Sequence, residues 1–354
     1  MFAFTSLHVS ASEGHGEEAF NAGDMIIHHI VDAHSIHLGT FSIPLPVILY
    51  TEQGIDIFSS GNFVDGHHQA VPYTSTSTGN TYVLEHEHIY YADEHGHVKT
   101  EMVKDDKGND VETKMGPMDF SITKSVLGMF LIIFLMILVF RAVASGYKKR
   151  AGQAPKGIQN LFEPLILFIR DEVAIPSIGE KKADRYTPFL LTVFFFIWMC
   201  NMLGLIPFIG GFNITGTMSI TLVLAAIVFI ITTVSGNKHY WGHILWPPGV
   251  PLPIKFILVP IEFASIFIKP AVLMVRLTAN ITAGHIIILA FVSLVILFGE
   301  QGQAIGAGVG VGIGAVLFMV FMFFIELLVA FLQAYVFTLL AALYFGDATQ
   351  DGHH

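Results

Sequence analysis

Glu262, Lys269 and Arg276 recur seven residues apart inside an otherwise apolar stretch, and His285 and Glu326 lie further on in similar surroundings. An ionisable side chain in hydrocarbon costs several kcal/mol, so such groups belong to an ion pathway or to a paired structural role. At about 100° per residue, a step of seven rotates only about 20°, which sets Glu262, Lys269 and Arg276 on one helical stripe. Asn280, one turn past Arg276, extends that stripe. His285, nine residues beyond Arg276, lies about half a turn round and ~13 Å further along, and should face a different compartment. Glu326 and Gln333 are again seven apart and share a face. Imidazole titrates near neutral pH, so His285 and Glu326 brought together by two long helices would make a proton relay. The plainer reading is that they only tie those helices together.

Arg276 needs a negative partner because a guanidinium does not deprotonate. Its own stripe offers only Glu262, about 21 Å along a straight helix, so the missing carboxylate is expected on another subunit. Snorkelling to an interface is the competing reading, and the roughly 20 apolar residues on each side of the arginine weigh against it.

The elements that must position these groups follow from composition. Of 354 residues 53% are hydrophobic and 13% charged, against roughly a quarter charged in soluble domains. Residues 1–120 hold 18 of the 28 acids, 4 of the 18 Lys and Arg and 12 of the 17 histidines, a net charge of −14 where the remainder carries +4. The expected division is a polar, acidic, His-rich head over 1–118, a membrane body over 119–345 and a tail over 346–354. In the head, a short amphipathic helix is expected around Glu17 to His34 and alternating strands at Phe41 to Tyr50 and Tyr82 to Tyr91, the second closed by a turn at Ala92 to Gly96. The first residues read like the end of a secretory signal, with small residues around Val9, Ser10 and Ala11. The lone Cys200 has no partner for an intrachain disulfide.

Residues 120–143 are long enough to span. Residues 141–185 then carry 9 of the 18 basic residues, and short basic loops stay cytoplasmic, which puts the head outside. Gly157 to Val173 suits a helix lying in the interface. Residues 186–237 lack Asp, Glu, Lys, Arg and His altogether, a run of 52 broken near Pro207, Gly210, Gly211 and Asn213, and read as a transmembrane hairpin. Pro253 to Gly299 and the run ending at Phe345 are each much longer than an upright crossing needs, so these helices must tilt or bend. Five crossings put the C-terminus inside. The fold class expected is therefore an all-α polytopic membrane protein with an interfacial helix and a small N-terminal region of mixed or β structure.

The stretch KPAVLMVRLTANITAGH (Lys269 to His285), followed by ELLVAFLQAYVF (Glu326 to Phe337), strongly resembles subunit a of the F-type ATP synthase, as do NMLGLIP (Asn201 to Pro207) and the basic loop. The resemblance covers about 120–345; the head resembles only the extended N-termini of some bacterial members. It implies a stator that faces a rotating ring of c subunits, with subunit b and the rest of the complex as further partners, in the bacterial inner membrane. Arg276 would separate two offset half-channels and displace the proton from each arriving c-ring carboxylate. Asn280 and Gln333 match the polar residues flanking it, Glu262 the acid towards the cytoplasmic half-channel, and Lys269 the lysine before the arginine. His285 and Glu326 match the outer half-channel pair, in an order that some members reverse. Gly204 sits where some members place an acid.

Such a subunit is expected to use no cofactor, to do no bond chemistry itself and to bind no nucleic acid. The rival classes are a proton-coupled carrier, which usually shows repeated halves, and a structural anchor for the head, which needs no charged stripe. Three further features stay open. The glycines at 306, 308, 310, 312 and 314 suit either close helix approach or a mobile loop. Thr215, Thr217, Ser219 and Thr221 suit either a channel wall or hydroxyls that satisfy helix carbonyls. His28, His29, Asp32, His34 and His37, with HEH (His86 to His88) and HGH (His95 to His97), are conceivable zinc ligands without a defined spacing, and no metal site is assigned.

Overall fold

A computed structural model describes residues 23, 32–38, 41–65, 70–93, 95–104, 110–150, 152–206, 212–247, 250–298 and 305–350. The signal-like start, His28, His29 and most of the expected Glu17 to His34 helix lie outside them; of that helix, Gly23 is helical and residues 32–34 are not.

The described part of the head forms small antiparallel sheets. β1 (Ser35–Leu38) pairs with β2 (Phe41–Pro44), and β3 (Pro46–Thr51) lies between β4 (Gly54–Ser59) and β10 (Met118–Asp119). β6 (Thr81–Glu85) joins β5 (Tyr73–Thr74) and β7 (His88–Tyr91), while β8 (Thr100–Lys104) pairs with β9 (Asp110–Lys114). Two expectations are corrected. The Phe41 to Tyr50 run breaks at Leu45 into two strands in different sheets. Tyr82 to Tyr91 is a hairpin rather than one strand, because His86 and Glu87 take φ of 50° and 63°, the left-handed pair a two-residue type I′ turn requires. Alternation along β3 sends Val47 and Leu49 inward against Phe63, Tyr82 and Ile89. Asp56 is fully buried there and accepts bonds from the hydroxyls of Ser75, Thr78 and Tyr82, each at 2.5 Å. Burial alone would raise its pKa, and the three donors hold it below the usual carboxylate value.

The body is helical: α1 (Lys124–Lys149), α2 (Ile158–Phe168), a π turn (Ile169–Ala174), α3 (Ile175–Ile178), α4 (Glu180–Gly204), α5 (Met218–Ser235), α6 (Lys238–Leu245), α7 (Leu252–Phe298) and α8 (Ile305–Thr349). Among the described residues, five of these, α1, α4, α5, α7 and α8, are long and apolar enough to cross a membrane. α7 and α8 have 47 and 45 residues, about 70 Å each against a hydrocarbon layer of ~30 Å, so neither fits upright. The Gly-rich piece from Gly306 is helix, not loop. α8 packs along α4 and α7, and α5 along α7. α4 is the most enclosed span, burying Leu190, Phe194, Phe195 and Ile197. Lys182 and Asn237 both donate to the Thr349 carbonyl, at 2.5 and 3.1 Å, tying the last turn of α8 to α4 and to the start of α6.

Head and body join at the start of α1. Ile36 and Leu45 enter the same apolar cluster as Ile132. The Lys124 N–H donates to Ala33 at 2.9 Å and the Ser125 N–H to the Asp32 carboxylate at 2.9 Å. His34, 3% exposed, donates from Nε2 to Asp119 at 3.1 Å, with Glu87 3.9 Å from Nδ1. Burial would lower its pKa, but the Asp119 hydrogen bond and the neighbouring carboxylates of Asp119 and Glu87 outweigh this and raise it from 6.5 to about 9. A raised folded-state pKa gives stabilisation that is complete below 6.5 and lost as pH climbs through 9, roughly 3 kcal/mol in all. The protection of the Ser125 amide against hydrogen exchange, corrected for the intrinsic rate, should fall about 100-fold between pH 6.5 and 9.5. It should be flat with pH in His34→Gln; a flat wild-type profile would contradict the assignment.

Candidate functional site

α7 is one continuous helix from Leu252 to Phe298, so the seven-residue spacing of Glu262, Lys269 and Arg276 does place them along one side of it. Lys269 and Glu262 are half-buried, while Arg276 and Asn280 are exposed. Lys269 lies 3.7 Å from Asp347 of α8 and 5.3 Å from the centre of the Tyr344 ring. Both partners are accessible, at 42% and 60% exposure, which makes this a weak surface pair of the kind worth under about 1 kcal/mol. Glu262 lies near Tyr240 of α6, within reach of its charge. Among the described residues Arg276 enters no ion pair.

The second grouping lies between α4, α7 and α8. Glu326 and Gln333 are 8% and 9% exposed, on the face of α8 that also buries Ala330, Ala334 and Phe337. Glu326, His285, Asn280, Ile281, Asn201 and Gly284 line one small cavity. His285 and Glu326 therefore share a chamber, as their chemistry suggests, but no hydrogen bond joins them: among the described residues neither carboxylate oxygen of Glu326 has a hydrogen-bond partner. Room for that carboxylate comes from a missing side chain, since a Cβ on Gly284 would run into it. On the other wall, a Cβ on Gly204 would stand 3.6 Å from Nε2 of His285 and 2.7 Å from the Phe212 carbonyl. The glycine thus lets the Phe212 carbonyl and the His285 imidazole approach the α4 backbone closely.

The structure adds residues that spacing did not single out. Asn201 donates to the Ala330 carbonyl at 3.1 Å and accepts from Thr215 at 2.5 Å, fixing the α4–α8 contact at the cavity wall. Thr221 meets Thr278 of α7 at 2.6 Å and also donates to the Met218 carbonyl. Thr217 donates to the Asn213 carbonyl at 3.0 Å, and Ser219 is exposed. The Thr run thus both satisfies carbonyls and cross-links helices. Asp347, Asn201 and Thr278 become visible only when the helices pack, because each finds its partner more than 50 residues away in sequence. Among the described residues no three His, Cys, Asp or Glu side chains form a metal-holding group; His34 is occupied by carboxylates. A Cβ on Gly312 would come no closer than 3.8 Å to Val295, and one on Gly314 would meet nothing, so these two glycines serve no close helix contact.

Spans that carry an exposed arginine on one helix and a buried carboxylate on the next define an integral membrane protein of the ion-handling class. A family model described as ATP synthase A chain matches residues 126–346, and one described as a domain of unknown function matches 25–120. The chain belongs to the ATP synthase A chain family. It is 44% identical over 246 residues to ATP synthase subunit a 2 of Chlorobaculum tepidum, an alignment covering 66% of each chain. ATP synthase subunit a of Pelodictyon phaeoclathratiforme is 33% identical over 350 residues, 97% of this chain and 80% of that one. The corresponding Anaeromyxobacter protein is 32% identical over 353 residues, 97% and 73%. These longer alignments include the head.

The Gly284 contact is directly testable. The carboxyl-stretch infrared band of Glu326, assigned by its disappearance in Glu326→Gln, should shift in Gly284→Ala, whose methyl must push the carboxylate aside. It should stay in place in Gly314→Ala. An unmoved band in Gly284→Ala would refute the packing described for this wall.

Proposed function

We propose that this chain is the proton-carrying stator subunit a of an F-type ATP synthase, working against a ring of c subunits and anchored with subunit b. The observation that carries this reading is Arg276: a permanent cation exposed on α7 without an ion pair among the described residues, beyond Lys269, which already has Asp347. A passing carboxylate on a neighbouring subunit would find it available. The cavity of Glu326, His285 and Asn280 begins one turn along from Arg276 and supplies the outer half-channel, where a proton resides on the carboxylate or imidazole before transfer. Glu262, Lys269 and the α6–α8 surface form the inner one, and Gln333 lies on the Glu326 face of α8. Arg276 keeps the two apart electrostatically, since a proton crossing its field without a carboxylate carrier is repelled. The division into a head at 1–118, a channel body at 119–345 and a tail at 346–354 belongs to the same proposal.

Arg276→Ala should abolish ATP-driven proton pumping by the assembled complex, a loss of about 10²-fold or more, while the protein still inserts. Arg276→Lys should remain badly impaired, because an ammonium lacks the planar fork and releases its proton when desolvated. Pumping near wild type in Arg276→Ala vesicles would end the proposal.

For orientation we propose the bacterial inner membrane, with the head outside and the C-terminus in the cytoplasm, supported by the basic 141–185 loop. Ser59 and Gln153 are both exposed, and the single native cysteine, Cys200, is buried. In right-side-out vesicles an impermeant maleimide should label Ser59→Cys and spare Gln153→Cys. The opposite pattern would invert the topology.

A further inference from the structure

We propose that the head is the proton-collecting intake of the outer half-channel, and that His34, Glu87 and Asp119 form its junction with the membrane body. This rests on the stator reading and extends it to a part of the chain outside the ATP synthase A chain match. Four observations converge. Twelve of the 17 histidines and 18 of the 28 acids fall in residues 1–120, the groups that exchange protons in the physiological range and draw in cations. Second, His34 is buried at the head–body boundary with its Nδ1 lacking a hydrogen bond. Glu87 sits in a left-handed turn that brings its carboxylate to the His34 backbone N–H at 3.2 Å. Third, the cluster adjoins the body's polar interior. Asp32 holds the Ser125 N–H, the Ser125 and Thr217 hydroxyls meet at 3.1 Å, and Thr217 bonds Asn213. Thr215, two residues on, bonds Asn201 of the Glu326 cavity. Fourth, buried side-chain atoms without a bond lie along these contacts: Thr123 Oγ1 next to Lys124, Asn213 Oδ1 in the residue that Thr217 bonds, and both oxygens of Glu326. Buried polar groups of this sort are ordinarily served by water, and a water file is a proton conductor.

The charged groups meeting here are His34 and Lys124 against Asp32, Glu87 and Asp119. Lys124 senses Asp32 and Glu87 and lies close enough for its own charge to act on His285. A proton leaves hydronium or buffer for a head carboxylate or imidazole, moves to the junction, and passes by water to the Glu326–His285 chamber. The physical need is supply. At pH 8 free hydronium is ~10⁻⁸ M, so capture at about 10¹⁰ M⁻¹s⁻¹ yields only ~10² protons per second. An acidic surface with exchangeable sites raises that rate by roughly 10- to 10³-fold, in a way that salt screens.

The test uses the complete synthase in liposomes, making ATP under a fixed electrical driving force while the pH on the head side is varied. Glu87→Gln combined with Asp119→Asn substitutes side chains of the same size and removes two of the three negative charges at the junction, leaving Asp32. Synthesis should fall ~10-fold at head-side pH 8, within the gain expected of an acidic collecting surface. It should be near wild type at pH 5.5, and imidazole buffer on that side should restore the pH 8 rate. In the unmodified complex, raising head-side salt should slow synthesis at pH 8 and leave it unchanged at pH 5.5. The inference is overturned by a loss equal at both pH values and insensitive to buffer, or by wild-type rates at pH 8 indifferent to salt and buffer. Coupled transport persisting in Glu326→Gln and Arg276→Ala would instead overturn the stator reading itself.

Discussion

The arrangement depends on the cost of holding a carboxylate inside a membrane. Glu326 is buried on α8 with neither oxygen bonded by protein, a state that in hydrocarbon costs several kcal/mol unless the group is protonated or hydrated. What surrounds it answers that cost without neutralising it permanently. Gly284 leaves space where a methyl would collide, Asn201 and Asn280 supply dipoles, and His285 shares the chamber without a hydrogen bond to it. A tight ion pair would hold the proton balance still. An open polar pocket leaves the carboxylate free to change state.

Arg276 illustrates the complementary constraint. Its charge cannot be removed by deprotonation, so an arginine in a span must be satisfied by a partner, by water or by another subunit. Lys269, seven residues earlier, is met by Asp347 from the last turns of α8. That turn is itself held by Lys182 and Asn237 through the Thr349 carbonyl. The C-terminal end of α8 is thereby fastened at the same level as Lys269, while Arg276, about two turns further along the same side of α7, is exposed.

The head follows the rules of soluble proteins and joins the body through them. Among the described residues its own core is small, five buried residues organised around Val47 and Leu49, and the Asp56 carboxylate gathers three hydroxyls from the β5–β6 hairpin and its turn. At the junction the logic changes from hydrophobic to ionic. His34 stays protonated at neutral pH because two carboxylates outweigh its burial, so docking of the head on α1 responds to pH.

The sequence alone determined the membrane class, the spans, the acidic head and the common side of Glu262, Lys269 and Arg276. These follow from hydrophobic length and helical period, which are local properties. It also pointed to Glu326 and His285, because an ionisable residue in an apolar run stands out whatever surrounds it. Tertiary structure alone decided that His285 and Glu326 share a chamber without a hydrogen bond between them, that Asp347 is the partner of Lys269, and that Gly284 clears room for a carboxylate. It also split Tyr82 to Tyr91 into a hairpin at His86 and Glu87, a turn with none of the usual glycine or asparagine signal. The reason is the same in each case: these contacts join residues far apart in the chain, or are stabilised by such contacts, and periodicity within one segment carries no information about which face meets which neighbour.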